Sequence, residues 1–220
     1  MVNSKHVFWQ AFLSAILIFG VGIMIGFFIE GGRNKSVENT LLNSEIDLLD
    51  SQVIGQIGNG PNLDCKEYEN VLIGFADRIY SEAKNLEKYN EASQLTDVPK
   101  ILHRRYDLLR ILLWSEAKAM KGSCNESVHT LVYFYQYENP DSNTRAEQVV
   151  FSRFLEDLKM KYGMKILLIP IAGDAKLDSL KLLKSSYNVE SYPVVILDEK
   201  KTVYNIDGLK EIAQILQNNN

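Results

Sequence analysis

A chain of 220 residues that is 46% hydrophobic, 24% charged and 10% aromatic is neither disordered nor low in complexity, and 13 Gly and 5 Pro exclude collagen-like repeats. Its 24 basic and 28 acidic residues give a net charge of −4, with no cationic excess to neutralise phosphates, so no nucleic acid partner is expected. Two cysteines and three dispersed histidines (His6, His103, His129) exclude a disulfide-dense scaffold and a Cys/His metal site, and neither a metal nor another cofactor is expected.

From Val7 to Ile29 the chain carries no formal charge. As a helix this stretch spans roughly 30 Å, the hydrocarbon thickness of a bilayer. Phe8 and Trp9 stand at one end, where an aromatic belt is expected. A cleaved signal peptide has a shorter apolar core and a small-x-small cleavage site. This run is longer and ends Phe27-Phe28-Ile29-Glu30, so an uncleaved membrane anchor over residues 1–30 is the expectation. Lys5 precedes the run and Arg33 and Lys35 follow it, which leaves the positive-inside count nearly tied. Gly22 and Gly26 form a small-xxx-small pair that permits a homodimer in lipid; the plainer reading is the ordinary abundance of glycine in membrane helices.

Residues 31–63 read as a stem. Gly31-Gly32 predicts a break, and Gly55 to Pro61 predicts a linker. Between them Leu42, Ile46, Leu49 and Val53 are spaced by four, three and four, which fits a short coiled coil or an amphipathic helix lying on the globular part.

Residues 64–124 read as a helical hairpin. Tyr68, Val71, Leu72, Phe75, Ile79 and Ala83 recur at helical spacing in the first arm, and Ile101, Leu102, Leu108, Leu109, Leu112 and Leu113 in the second. The polar stretch Asn90 to Pro99 separates them, Pro99 suits the first turn of the second helix, and Lys121-Gly122 predicts its end. Trp114, Tyr106 and Arg110 read as packing between this hairpin and the next domain, and Arg104-Arg105 as a solvated face.

Residues 125–220 change period. Val128–Tyr135 predicts a strand, and Thr144–Tyr162 a helix with Val149, Val150, Phe154, Leu155 and Leu158 inward and Gly163 as its cap. Lys165–Ile171 predicts a strand, Leu177–Ser186 a helix, Val194–Leu197 and Thr202–Asn205 a hairpin turning at Asp198–Lys201, and Asp207–Leu216 a last helix. The order β-α-β-α-β-β-α is a mixed α/β domain.

That order, with Tyr192-Pro193 just before the third strand, resembles the thioredoxin fold. Leu131-Val-Tyr-Phe-Tyr135 is similar to the family's first strand, Tyr187-Asn-Val-Glu-Ser-Tyr-Pro-Val-Val-Ile196 to its segment around a cis proline, and Asn205-Ile-Asp-Gly-Leu209 to the entry of its last helix. The resemblance covers roughly residues 127–217. It implies a redox Cys-x-x-Cys at the end of the first strand, and here the chain departs: Asn139-Pro140-Asp141-Ser142 stands in its place. Dithiol exchange needs an attacking thiolate and a resolving thiol. The domain is therefore expected to be redox-inactive by this route, with no catalytic residue. Asn139 to Ser142 also read simply as a turn, with Ser142 or Asn143 capping the following helix. His129, at the start of the strand, is too far away to act as a base on Ser142.

The two cysteines lie elsewhere. Cys65 opens the first arm of the hairpin and Cys124 follows the second, so both fall at the same end, and a disulfide between them is expected. Two unrelated buried thiols and a redox-active pair are the alternatives. A disulfide, with the acceptor sequons Asn34-Lys-Ser36 and Asn125-Glu-Ser127, points to an extracytoplasmic domain.

Three functions fit these observations. The first is a single-pass, membrane-anchored thioredoxin-like protein that binds polypeptide without redox turnover. The family pairs the backbone beside its cis proline with an extended segment, and the resemblance carries that face to Tyr192, Pro193, Asn139 and Ser142, with Tyr135 and Tyr137 nearby. The second is a thiol–disulfide oxidoreductase or isomerase using Cys65 and Cys124. The third is a structural ectodomain of a membrane complex.

Overall fold

The computed structural model describes residues 4–58, 60, 63–92, 98–124 and 128–218, with the backbone alone at 4–7, 28, 30–41, 44, 85–92 and 98–99. The side chain of Asn34 and the whole sequon at Asn125 lie outside the described residues. The chain divides into two compact units, Met1–Ile46 and Asp47–Asn220.

The first unit belongs to the long helix α1 (Ser4–Gly58). Its segment Phe8–Phe27 has a mean hydropathy of 2.1, is exposed along its whole length, and is long and apolar enough to cross a membrane. The predicted break at Gly31-Gly32 is absent, because the helical backbone runs through both glycines. Glycine costs a helix only about 1 kcal/mol relative to alanine, and so weakens it without ending it.

In the second unit, α1 continues to Gly58, where a linker was expected from Gly55. The glycines there serve close approach instead. A Cβ at position 55 would collide with the Glu116 carboxylate, and one at position 58 with the Tyr68 ring. α2 (Cys65–Ala92) and α3 (Val98–Cys124) pack against each other through Leu72, Phe75, Ile79, Leu102, Leu109 and Leu113, all buried. α3 passes the predicted stop at Lys121-Gly122 and ends at Cys124, which is bonded to Cys65 at a Cα–Cα separation of 5.6 Å.

The remainder is a mixed α/β layer structure: β1 (His129–Tyr135), α4 (Ser142–Tyr162), a 3-10 turn (Gly163–Lys165), β2 (Ile166–Ala172), α5 (Asp178–Ser186), β3 (Val194–Leu197), β4 (Lys201–Val203) and α6 (Ile206–Asn218). The sheet order is β2-β1-β3-β4. β1 pairs in parallel with β2 (His129 opposite Ile166) and antiparallel with β3 (Phe134 opposite Val194), and β3 pairs antiparallel with β4.

Alternation along β1 sends successive side chains to opposite faces. Leu131 and Tyr133 meet Phe151, Leu155 and Leu158 of α4 and Leu209, Ile212 and Leu216 of α6 in one core. Phe134 faces the other way, onto Trp114 of α3, with ring centroids 6.0 Å apart. A strand buried on both sides explains the uninterrupted apolar run Leu131–Phe134. On α4 the inward set is Phe151, Leu155 and Leu158, with Phe154 half-buried. Val149 and Val150, expected inward, are 46% and 44% exposed, because the inward stripe centres on residues 151, 155 and 158.

Candidate functional site

The exits of β1 and β2 and the start of β3 meet at one end of the sheet. The Gly173 amide donates to the Tyr135 carbonyl at 2.8 Å, joining the two exits just past the last ladder pair. Tyr192 arches over Gly173: its hydroxyl donates to the Gly173 carbonyl, and Lys184 Nζ reaches the same carbonyl at 2.9 Å and the Tyr192 hydroxyl at 3.1 Å. A Cβ on residue 173 would collide with the Tyr192 ring, so only glycine permits this approach. The Tyr192–Pro193 bond is cis, Pro193 is buried, and the β1–β3 ladder begins one residue later, at Val194.

The loop after β1 is fixed by side chains from three elements. Gln148 of α4 accepts from the Gln136 amide at 2.7 Å and donates back to its carbonyl at 3.2 Å. Asp174 accepts from the amides of Tyr137 (2.9 Å) and Glu138 (2.6 Å). Asn139 turns the chain in the left-handed region, with φ 48°, and its side chain is exposed. The helix cap falls on Asp141, not on Ser142 or Asn143 as the sequence suggested. Its carboxylate accepts from the amides of Asn143 and Thr144 and from the Thr144 hydroxyl at 2.6 Å. These bonds, the hydroxyl's first, hold the Asp141 carboxyl below its ordinary range. The Asp141 carboxylate thus occupies the positive end of the α4 dipole. Ser142 is the first residue of α4 and is exposed.

Beneath this loop lies a polar chain that sequence reasoning missed. His103 of α3 holds Asp107 one turn along at 3.0 Å through Nδ1, and the Tyr135 hydroxyl at 3.0 Å through Nε2. Its ring stacks on Tyr137 with centroids 3.7 Å apart. The Asp107 side chain is fully buried and also accepts from Arg110 Nη1 (3.3 Å) and the Ala172 amide (3.2 Å). A carboxylate only accepts, which places a proton on His103 Nδ1. Burial raises the pKa of the Tyr135 hydroxyl, keeping it a neutral donor. The visible signal was a His-x-x-x-Asp pair on one helical face, but nothing in the sequence pointed to Tyr135 as its third member.

The two cysteines are not part of this end. Both sit in the bond at the C-terminus of α3, beside the start of β1, and among the described residues no free thiol remains. There a second polar cluster forms. Lys121 Nζ donates to Thr130 Oγ1 (2.7 Å), Asp198 Oδ1 (2.6 Å) and Glu199 Oε2 (3.3 Å), His129 Nδ1 lies 2.6 Å from Asp198 Oδ2, and Trp114 Nε1 donates to Glu199 at 2.7 Å. Burial alone would push the Asp198 carboxyl up, but its hydrogen bonds to Lys121 and His129 outweigh it and hold the group low. His129 is therefore spent on the β3–β4 turn. Trp114 and Tyr106 are buried, as expected, but Arg110, expected to pack with them, is spent on the Asp107 carboxylate instead, and Arg104 donates to the Lys176 carbonyl at 2.9 Å.

No protein-family profile matches this chain, and no curated protein matches it either.

Proposed function

We propose that this chain is a membrane-anchored, extracytoplasmic protein whose C-terminal domain is thioredoxin-like and binds an extended polypeptide without disulfide exchange. The observation that carries this reading is the loop at the exit of β1. It is held in a fixed shape by Gln148, Asp174 and Asp141, it leaves Asn139 and Ser142 exposed, and it has no thiol; the resemblance pairs it with Tyr192 and Pro193 as the binding face. The element order β-α-β-α-β-β-α supports the family resemblance. The peptide groups of Ser191 and Tyr192 precede the β3 ladder, where an added strand would pair. Support for the anchor comes from Phe8–Phe27, and for the extracytoplasmic side from the disulfide. The oxidoreductase alternative would put its chemistry at the opposite end of β1, where Cys65 and Cys124 are bonded to each other.

The test has three arms on the full-length protein. It should stay with membranes after a high-salt wash and enter solution only with detergent. It should give no turnover in insulin reduction. It should bind extended peptides from an unbiased library, with Tyr192→Ala lowering affinity about tenfold, the scale of losing one well-packed aromatic contact. Insulin reduction that depends on Cys65 and Cys124 would revive the oxidoreductase. Peptide binding untouched by Tyr192→Ala would move the binding face elsewhere.

A further inference from the structure

We propose that the stem segment of α1 over residues 47–58 is a proton-operated latch, closed on the hairpin while Glu82 and Glu116 are protonated and released as they ionise. Apolar packing does little to hold this segment. The side it turns inward consists of Asp47, Ser51, Gly55 and Gly58, with Leu48 and Ile54 half-buried beside them. The contacts are made instead by two acids, one from each arm of the hairpin. Glu116 of α3 is buried, and its carboxyl lies so close to the Gly55 backbone that a Cβ there would collide with it. Glu82 of α2 shares a hydrogen bond with Asp47 of the stem and accepts another from the Tyr106 hydroxyl.

Both acids support closure in their neutral form. Two carboxyls bond to each other only when one of them carries a proton, so the Asp47–Glu82 contact is itself proton-dependent. Glu82 Oε2 is buried with no hydrogen-bond partner among the described residues, a state that penalises an ionised carboxylate. Glu82 faces Asp47 from α1, Arg78 from its own helix and Tyr106 from α3, with Arg105 and Arg110 acting on Tyr106. Burial, then the Asp47 charge, raises the Glu82 pKa, and Tyr106 and Arg78 pull it partly back. Arg78 is half-exposed and pairs with Asp47 at 3.6 Å, which leaves one cation to two acids. Glu116 faces the Tyr68 hydroxyl of α2, which donates at 3.0 Å, and the uncharged Gly55 backbone of α1; burial raises its pKa and Tyr68 lowers it. Opening the latch returns both acids to water and to their ordinary 4.5. Closure is thus fully supported below that value and weakens as pH rises through the raised ones, with opening gaining up to about tenfold per pH unit for each acid. This inference is independent of whether the C-terminal domain binds peptide.

The test is backbone amide exchange of the full-length protein in nanodiscs of zwitterionic lipid, followed from about pH 5 to about pH 8 and expressed relative to the intrinsic rate at each pH, so that the chemistry of exchange itself cancels. Protection of residues 52–58 should fall at least about tenfold across that range, while residues 131–134 of β1 keep theirs. Glu82→Gln with Glu116→Gln retains the shape of both neutral acids, so the stem of this variant should stay protected at every pH. Each single substitution should remove part of the fall. A level wild-type profile would overturn the proposal, and needs no variant to read. So would a stem and β1 that lose protection in step, because the whole unit would then be opening. An equal fall in the wild type and the double variant would overturn it too, since the two acids would then not be the groups that operate the latch.

Discussion

Asp107→Ala tests whether the polar chain under the β1 exit is structural cement. The substitution removes one carboxylate, strands His103 Nδ1 and the Ala172 amide, and leaves Arg110 without its ion-pair partner, with its hydrogen bond to the Tyr135 hydroxyl remaining. Ala172 is fully buried, and an orphaned buried amide costs about 1–3 kcal/mol. Arg110 is only 12% exposed, and breaking a buried charged pair costs about 3–5 kcal/mol in total. We therefore expect a loss of about 3–5 kcal/mol for alanine. Asparagine should cost less, about 1–2 kcal/mol, because its carbonyl can still accept from Ala172 and Arg110 while its amide donates to His103. The assay is urea unfolding of full-length protein in non-ionic detergent, followed by Trp114 fluorescence in a Trp9→Phe background. The midpoint should shift with an unchanged slope. Amide exchange at Tyr137 and Glu138 should quicken in the alanine variant, because the ring stacked on Tyr137 loses its tether. A loss below about 1 kcal/mol for alanine, or equal losses for both variants, would refute the accounting.

Three further outcomes are expected. Non-reducing peptide mapping should recover the Cys65–Cys124 link, and replacing both cysteines by serine should cost up to about 4 kcal/mol, since the bond closes a loop with a sequence separation of 59; two free thiols in protein from its native membrane would contradict it. Burial raises the Glu116 pKa above its ordinary 4.5, with the Tyr68 hydroxyl pulling it partly back. Stability from neutral Glu116 is thus fully present below 4.5 and is lost as pH rises through the raised value, so Glu116→Gln should gain on the wild type as pH rises above 4.5 in thermal melts, and parallel curves would count against it. Gly173→Ala should cost about 1–3 kcal/mol by overpacking against Tyr192, and Tyr192→Ala in the same chain should recover part of that; no recovery would place the strain elsewhere.

What was legible in the sequence is what short-range periodicity encodes. The apolar run at β1, the 3.6-residue rows of α2 and α3 and the turn residues around Asp198 each have one local cause, and the structure follows them in order. Where two causes compete, local reading faltered. Gly31-Gly32 and Gly122 look like stops, yet helix continues through all three. At Gly55 the glycine makes room for Glu116, a role that only tertiary contact reveals. The inward face of α4 was drawn too wide: Leu155 and Leu158 are inward as expected, but Val149 and Val150 are apolar outside the stripe set by Phe151, Leu155 and Leu158. The site was half visible. Its loop and Tyr192-Pro193 were reached through the family resemblance, but His103, Asp107, Asp174 and Lys184 come from elements far apart in the chain. The choice of Asp141 over its neighbours as cap depends on where the backbone turns at Asn139.

α3 is fastened at both ends to one strand. His103, near its start, bonds to Tyr135 at the exit of β1, and Lys121, one turn before Cys124, bonds to Thr130 at the entry. Those two anchors are about 27 Å apart along the helix, at 1.5 Å per residue. Such a strut makes the ends mechanically interdependent. A tilt of α3 that loosens the Asp198–Glu199 clasp would also shift His103 against Tyr137.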